Sequence, residues 1–242
     1  MSDIEWQETH ELQPAADLIA DFCTQNGIPP VQIPAGQEPL VFIEQRALEA
    51  LYDFLAHDLE QEHGGVLVGQ PHYDAEVGRH FVVIQAAIPA YEAQSSSVHL
   101  QFTPQTWEYI SGLIEENYPD QVIVGWYHSH PGLGVFMSAT DRATQAAFFN
   151  HPWSLAVVVD PVVFLSGWFA GAECLPLSRL CVFPYEAPSE PSLPKAAQEL
   201  SDLEEEYWLQ HSLDRLKWLL PFSMLALSLL IFVWWYGKSR FT

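Results

Sequence analysis

The sequence is poor in cysteine and in positive charge, and both shortages narrow what the chain can be. Its 242 residues include three cysteines, Cys23, Cys174 and Cys181. They form no CxxC pair and are too few for a disulfide framework, a usage that suits a reducing compartment. Nine lysines and arginines stand against 31 aspartates and glutamates. A surface this acidic repels phosphate backbones and argues against nucleic acid as a partner. The N-terminus, MSDIEWQETHELQ, lacks both a positive n-region and an apolar run, so it does not read as a signal peptide. Internal repeats and low-complexity tracts are also missing. What is present is a hydrophobic share of 49% and an aromatic share of 13%, which excludes a wholly disordered acidic protein. The length suits one domain with appendages.

The charge is unevenly placed. All 31 acids lie at or before Asp214, together with five of the nine basic residues. The last 28 residues hold the other four basic residues and no acid. Within them, residues 218–236 (WLLPFSMLALSLLIFVWWY) are uncharged. As a helix they would extend about 28 Å, close to the ~30 Å hydrocarbon core of a bilayer. Trp218 at one end and Trp234, Trp235 and Tyr236 at the other suit the membrane interfaces. We therefore expect one C-terminal transmembrane helix at 218–236 and a short tail at 237–242. With no signal peptide, the expectation is a single-pass protein anchored by its C-terminus with a cytoplasmic head.

Before the span, residues 185–198 carry three prolines and read as a linker. Residues 199–217 read as a juxtamembrane helix with Leu200, Leu203 and Tyr207 on one stripe. That stripe suits simple packing, a homo- or hetero-dimer, or a position near the membrane. Residues 1–38 read as an acidic extension with a helix at 15–24 and an extended stretch at 28–34.

Residues 39–184 alternate strand and helix patterns. Strands are expected at 41–43, 65–69, 80–87, 97–102, 121–130, 154–159, 162–171 and 177–183. Helices are expected at 44–61, where Leu48, Leu51, Leu55 and Leu59 share a face, at 104–118 and at 138–149. Thr103 and Pro104 form an N-cap and N1 pair for the second of these. Several strands follow one another without intervening helices. That pattern predicts an α+β fold, an α/β/α sandwich with a mixed sheet, rather than a doubly wound parallel sheet.

The chemistry concentrates at the end of the 121–130 strand. His128 and His130 are two residues apart, so on a strand both imidazoles leave the same face and can converge on one ion. Pro131, Gly132, Leu133 and Gly134 then turn the chain, and Ser138 to Asp141 opens the next helix. Asp141 can return to the histidines as a third, anionic ligand. Two histidines, a carboxylate and an open position describe a catalytic rather than a structural zinc site. Ser138-x-x-Asp141 is also the spacing of a helix capping box, and the two roles are compatible. The other histidines (His10, His57, His63, His72, His80, His99, His151 and His211) show no ligand spacing and read as surface or core, and Cys174 and Cys181 read as buried thiols.

At these residues the chain resembles the JAMM (MPN+) metalloproteases, whose pattern is an upstream Glu followed by H-x-H-P-x6-S-x-x-D. Here it stands as His128, His130, Pro131, Ser138 and Asp141, with Glu62, Gly65 and Gly69 matching the upstream E-x-x-G-x-x-x-G. The run GWYHSHPGLGVFMSATDRATQ is similar to the deubiquitinase branch, and the resemblance covers residues 40–183. It implies a cytidine-deaminase-like MPN fold and Zn²⁺ held by His128, His130 and Asp141. It also implies that Glu62 moves a proton as base and then acid, while Ser138 steadies an oxyanion. The implied substrate is the amide bond after the C-terminus of ubiquitin or a ubiquitin-like modifier. A peptidase that processes a ubiquitin-fold sulfur carrier and a noncatalytic MPN scaffold remain the alternatives. Val135-Phe136-Met137 departs from the branch's Cys-Trp, and the short stretch after Asp141 leaves little room for inserted substrate loops. Selectivity is then expected from residues 1–38, from the loop near 91–97, or from a partner.

Overall fold

The computed structural model describes residues 13–29, 38–91, 93–96 and 99–184. The chain divides into two compact units, Met1–Glu190 and Pro191–Thr242, and every described residue belongs to the first. The expected linker (185–198), juxtamembrane helix (199–217), span (218–236) and tail (237–242) lie outside the described residues. Among the described residues, no helix is long and apolar enough to cross a membrane.

In chain order the elements are β1 (Ala15–Ala16), α1 (Ile19–Gln25), β2 (Leu40–Glu44), α2 (Gln45–Ala56), β3 (Gly64–Asp74) and β4 (Arg79–Pro89). There follow β5 (Gln94–Ser96), β6 (His99–Gln101), α3 (Pro104–Asn117), β7 (Val122–Ser129) and α4 (Ala139–Phe148). The last are β8 (Leu155–Asp160), β9 (Leu165–Ala170), β10 (Leu175–Pro176) and β11 (Cys181–Phe183). The main sheet runs β10-β9-β8-β7-β3-β4-β2-β11, with β1 added along the far half of β3, while β5 and β6 form a separate pair. It is mixed: β7 pairs parallel to β8 and antiparallel to β3, and β2 pairs parallel to β4. The α+β expectation with a mixed sheet therefore holds.

Burial explains the strand patterns. All of β8 and the Val66-Leu67-Val68 run of β3 are buried, so these strands read as unbroken apolar stretches rather than alternating ones. Helix α2 buries Ala47, Leu51, Phe54 and Leu55 along one face. Helix α3 begins with a reciprocal box between Thr103 and Thr106 and has Pro104 in its first turn, which satisfies end donors that the helix itself cannot. Gly65 and Gly69 are demanded by close approach. A Cβ at Gly65 would run into the Ile88 carbonyl and the Tyr127 ring, and one at Gly69 into the Val83 carbonyl. Between β4 and β7 the middle of β3 has no room for a side chain at either place.

The strand expected over 177–183 forms only at Cys181–Phe183, and three further expectations shift. The helix expected over 44–61 ends at Ala56, because the buried Asp58 carboxylate takes the Glu60 N–H at 2.8 Å and turns the chain; Leu59 is left exposed. The strand expected over 162–171 starts only at Leu165, since the Asp160 carboxylate accepts from Val162 N–H and holds a turn. In that turn Phe164 adopts a left-handed φ of 55° and is 87% exposed. The helix expected over 15–24 is instead a two-residue strand paired to β3 followed by α1 at Ile19–Gln25. Ile19 and Cys23 of α1 pack with Leu40, Phe42, Phe81, Val83 and Phe183. This part of the 1–38 extension thus completes the core of the head.

Candidate metal centre

Strand β7 lies between β3 and β8, and its last residues reach the edge of the sheet. His128 stands opposite Gly64 on one side and Val158 on the other, and the His130 N–H continues the ladder to the Val159 carbonyl at 2.7 Å. The i, i+2 spacing sends both rings to one face, and their Nε2 atoms come within 3.1 Å. Both residues are buried, with His128 only 1% exposed.

Asp141 is brought back by a tight return. Gly132 and Gly134 take positive φ of 70° and 87°, a conformation open to glycine and strained for most other residues. The Asp160 carboxylate clamps this turn, accepting from Gly132 N–H at 3.0 Å and Gly134 N–H at 2.8 Å. Ser138 then caps α4. Its Oγ accepts from Asp141 N–H at 3.2 Å, while Asp141 Oδ2 accepts from Ser138 N–H at 2.7 Å. The same Oδ2 lies 3.4 Å from His128 Nε2 and 3.5 Å from His130 Nε2. Capping and convergence are therefore performed by one carboxylate.

These three atoms form a triangle with sides of 3.1, 3.4 and 3.5 Å. Ligand atoms at ~2.0–2.1 Å from a tetrahedral zinc ion are ~3.3–3.4 Å apart, so the donor set fits that ion. Among the described residues, His128, His130 and Asp141 are the one group of three or more metal-ligating side chains that converges. Two imidazole nitrogens facing each other across 3.1 Å cannot both carry protons; a shared cation satisfies both.

Glu62 joins the group from the loop between α2 and β3. It is 5% exposed, with Oε1 3.7 Å from His130 Nε2, beyond direct hydrogen bonding yet close enough to share one small reactant. Burial pushes its carboxyl up to about 7; His130 opposes the rise and Asp141 adds to it. Burial also lowers the pKa of His128, favouring the neutral imidazole that binds metal. Burial acts to raise Asp141, but the hydrogen bonds from His128, His130 and Ser138 outweigh it and hold the carboxyl well below its usual range. At His130 burial lowers the pKa, yet the Asp141 hydrogen bond and the Glu62 charge outweigh it and raise the value.

Several supporting residues escaped the sequence reading. The Trp126 ring stacks on His128 at 4.5 Å and 8°, and its Nε1–H donates to Gln145 Oε1 at 2.8 Å. The fully buried Gln145 in turn donates to the carbonyls of Phe149, Ser154 and Gly171. His128 Nδ1 has no hydrogen-bond partner among the described residues, and the Trp126 ring covers one face of the imidazole. The Phe136 ring leans on His130 at 4.9 Å. Trp126 and His128 share the i, i+2 face and were detectable as a pair; Gln145 and Asp160 carried no local signal.

This geometry agrees with the comparisons to known proteins. The family described as prokaryotic homologs of the JAB domain matches residues 44–168, just over half of the chain, and the chain belongs to that family. Ubiquitin carboxyl-terminal hydrolase RPN11 of Saccharomyces cerevisiae is 43% identical over 56 residues, covering 23% of this chain and 18% of its own. The 26S proteasome regulatory subunit rpn11 of Schizosaccharomyces pombe is 29% identical over 140 residues, covering 54% and 44%. COP9 signalosome complex subunit 5 of Drosophila melanogaster is 35% identical over 114 residues, covering 45% and 33%. The matched stretch thus spans less than half the length of each of these relatives.

Proposed function

We propose that the chain is a zinc-dependent isopeptidase or peptidase that hydrolyses the amide bond after the C-terminus of ubiquitin or a ubiquitin-like modifier. The observation that carries this reading is the triangle of His128, His130 and Asp141 with the Glu62 carboxylate beside it. Zinc held by His128, His130 and Asp141 would supply Lewis acidity and lower the pKa of water there. Glu62, with its carboxyl near 7, is matched to accept a proton from the attacking water and return it to the departing amine. The Ser138 Oγ accepts from the Asp141 main chain, which leaves the hydroxyl hydrogen to donate to the oxyanion of the tetrahedral intermediate.

Exposed apolar side chains border the site. Leu133 and Phe136 lie on the return loop, and Val162, Val163, Phe164 and Leu165 on the turn that Asp160 ties to it. We assign them to substrate contact, alongside attraction of a basic modifier tail or conjugated lysine to the acidic head. The substrate class is supported by the ubiquitin carboxyl-terminal hydrolase among the relatives. Residues 218–236 anchor the chain in a membrane in this reading, with the head in the cytoplasm.

The test uses the full 242-residue chain, assayed for zinc and for cleavage of ubiquitin, ubiquitin-like and sulfur-carrier fusions. We expect about one zinc per chain. Glu62→Gln should keep the metal and lower hydrolysis by at least ~10²-fold. Absence of zinc from the wild type, or equal cleavage by Glu62→Gln, overturns the mechanism, and cleavage of sulfur-carrier fusions alone reassigns the substrate. In membrane fractions the chain should resist alkaline carbonate; its release would remove the anchor.

A further inference from the structure

Glu62 is part of no helix or strand, yet its carboxylate must stay in register with His128 and His130 at the end of β7. The family pattern requires Glu62, Gly65 and Gly69 and says nothing of what holds the loop before them. Besides Glu62, the loop between α2 and β3 contains two buried ionisable groups. Asp58 is 0% exposed and His63 is 3% exposed, and His63 Nε2 lies 3.2 Å from Asp58 Oδ2. The other carboxylate oxygen accepts the Glu60 N–H at 2.8 Å. The His63 ring packs edge-on against Phe54 of α2 at 5.9 Å.

The main chain of His63 is bound as firmly as its ring. Its N–H donates to Ser129 Oγ at 3.0 Å, and its carbonyl accepts the Ser129 N–H at 2.8 Å. Ser129 is the residue between His128 and His130. Glu62 is therefore held from both sides: His63 ties it to the ligand strand, and the Asp58 carboxylate folds residues 58–63 into one closed turn around it. Burying a histidine–carboxylate pair has a desolvation cost that a pair of apolar side chains would avoid.

We propose that Asp58 and His63 are positioning residues that fix the Glu62 carboxylate relative to the metal ligands. This inference rests on the hydrolase reading above, in which Glu62 moves the proton. Neither residue touches the reacting atoms; they act through Glu62.

The experiment compares wild type, Asp58→Asn, Glu62→Gln and the double variant as full-length, zinc-loaded protein on the fusion substrate that wild type cleaves. Asp58→Asn should keep its zinc and its KM while kcat falls about 10- to 100-fold, as for other supporting shells of metal sites. In the Glu62→Gln background the same change should have almost no further effect, because residues that act through one group are not additive. Hydrogen exchange should quicken in the 57–63 loop and at Ser129 while the rest of the sheet stays protected. Unchanged kcat in Asp58→Asn, or losses that multiply in the double variant, overturn the proposal. A general loss of protection with kcat per folded molecule intact does so too, since that marks a purely structural pair. If Asp58→Asn does not fold, His63→Gln, which keeps the main-chain bonds to Ser129, carries the same comparison. Failure of the hydrolase reading shows separately, as Glu62→Gln matching wild type.

Discussion

The two ends of β3 each bring a buried histidine near a carboxylate. At the start of the strand, Gly64 lies beside His128, whose Nε2 meets His130 and Asp141 within 3.5 Å. At the other end, His72 lies beside β1, with its Nδ1 3.8 Å from the half-buried Asp17. His72 stacks flat on Phe81 at 4.6 Å and 11°, and burial pushes its pKa down against the pull of Asp17. It is a packing histidine. A buried histidine and a nearby carboxylate are shared by the two ends, so they cannot be what defines a metal centre. The difference is convergence: at one end three ligand atoms are aimed at a common point by a strand, a glycine turn and a helix cap, and at the other one ring faces one acid.

The largest test of that contrast removes a ligand at the converging end. Asp141→Asn should lower bound zinc from about one per chain to below about a tenth, and hydrolysis by about three orders of magnitude or more. Zinc analysis and initial rates on purified protein check this, and retention of both would mean that the triangle is not the metal site. A middle-sized effect is expected where no ligand is touched. Gln145→Ala frees the Trp126 indole that stacks on His128, so zinc affinity should fall about 10- to 100-fold. The lost buried hydrogen bonds should also destabilise the head by about 1–3 kcal/mol; a competition titration with a chelator and a thermal melt read the two. Unaltered affinity would show that the stack does not orient the ligand. The smallest effect belongs to the opposite end. Since the His72–Asp17 contact is long and partly solvated, Asp17→Asn should change stability by less than about 1 kcal/mol and leave zinc content and hydrolysis unchanged. A loss of metal there would dissolve the distinction between the two ends.

Much of the head was legible from local pattern. Thr103-Pro104 marked the start of α3, and HxH at the end of an apolar strand marked a face on which two imidazoles meet. Ser138-x-x-Asp141 was legible twice over, as a cap and as the return of a carboxylate to the two histidines, and the same atoms do both. Other features were not, because their partners are far apart in the chain. Asp160 reaches back to Gly132 and Gly134, Gln145 to Trp126, and Ser129 to His63. The end of α2 was misplaced because Leu59 continues the helical stripe while the buried Asp58 carboxylate turns the chain. The short β1 was missed because its pairing to β3 is a tertiary contact that no residue of Ala15–Ala16 announces.

What the sequence by itself determined is the set of donors and their local directions. Spacing of two along a strand places the histidines on one face, and spacing of three at a helix start turns the Asp141 carboxylate inward. Both follow from the periodicities of strand and helix. Only the tertiary structure decided the distances. It brought Glu62 to 3.7 Å from His130 by tying His63 to Ser129, and it stacked Trp126 on His128 by anchoring the indole to Gln145. It also enclosed the group so that burial lifts the Glu62 carboxyl to about 7. Those quantities depend on which strands are neighbours and how deep the site lies, and no local spacing encodes either.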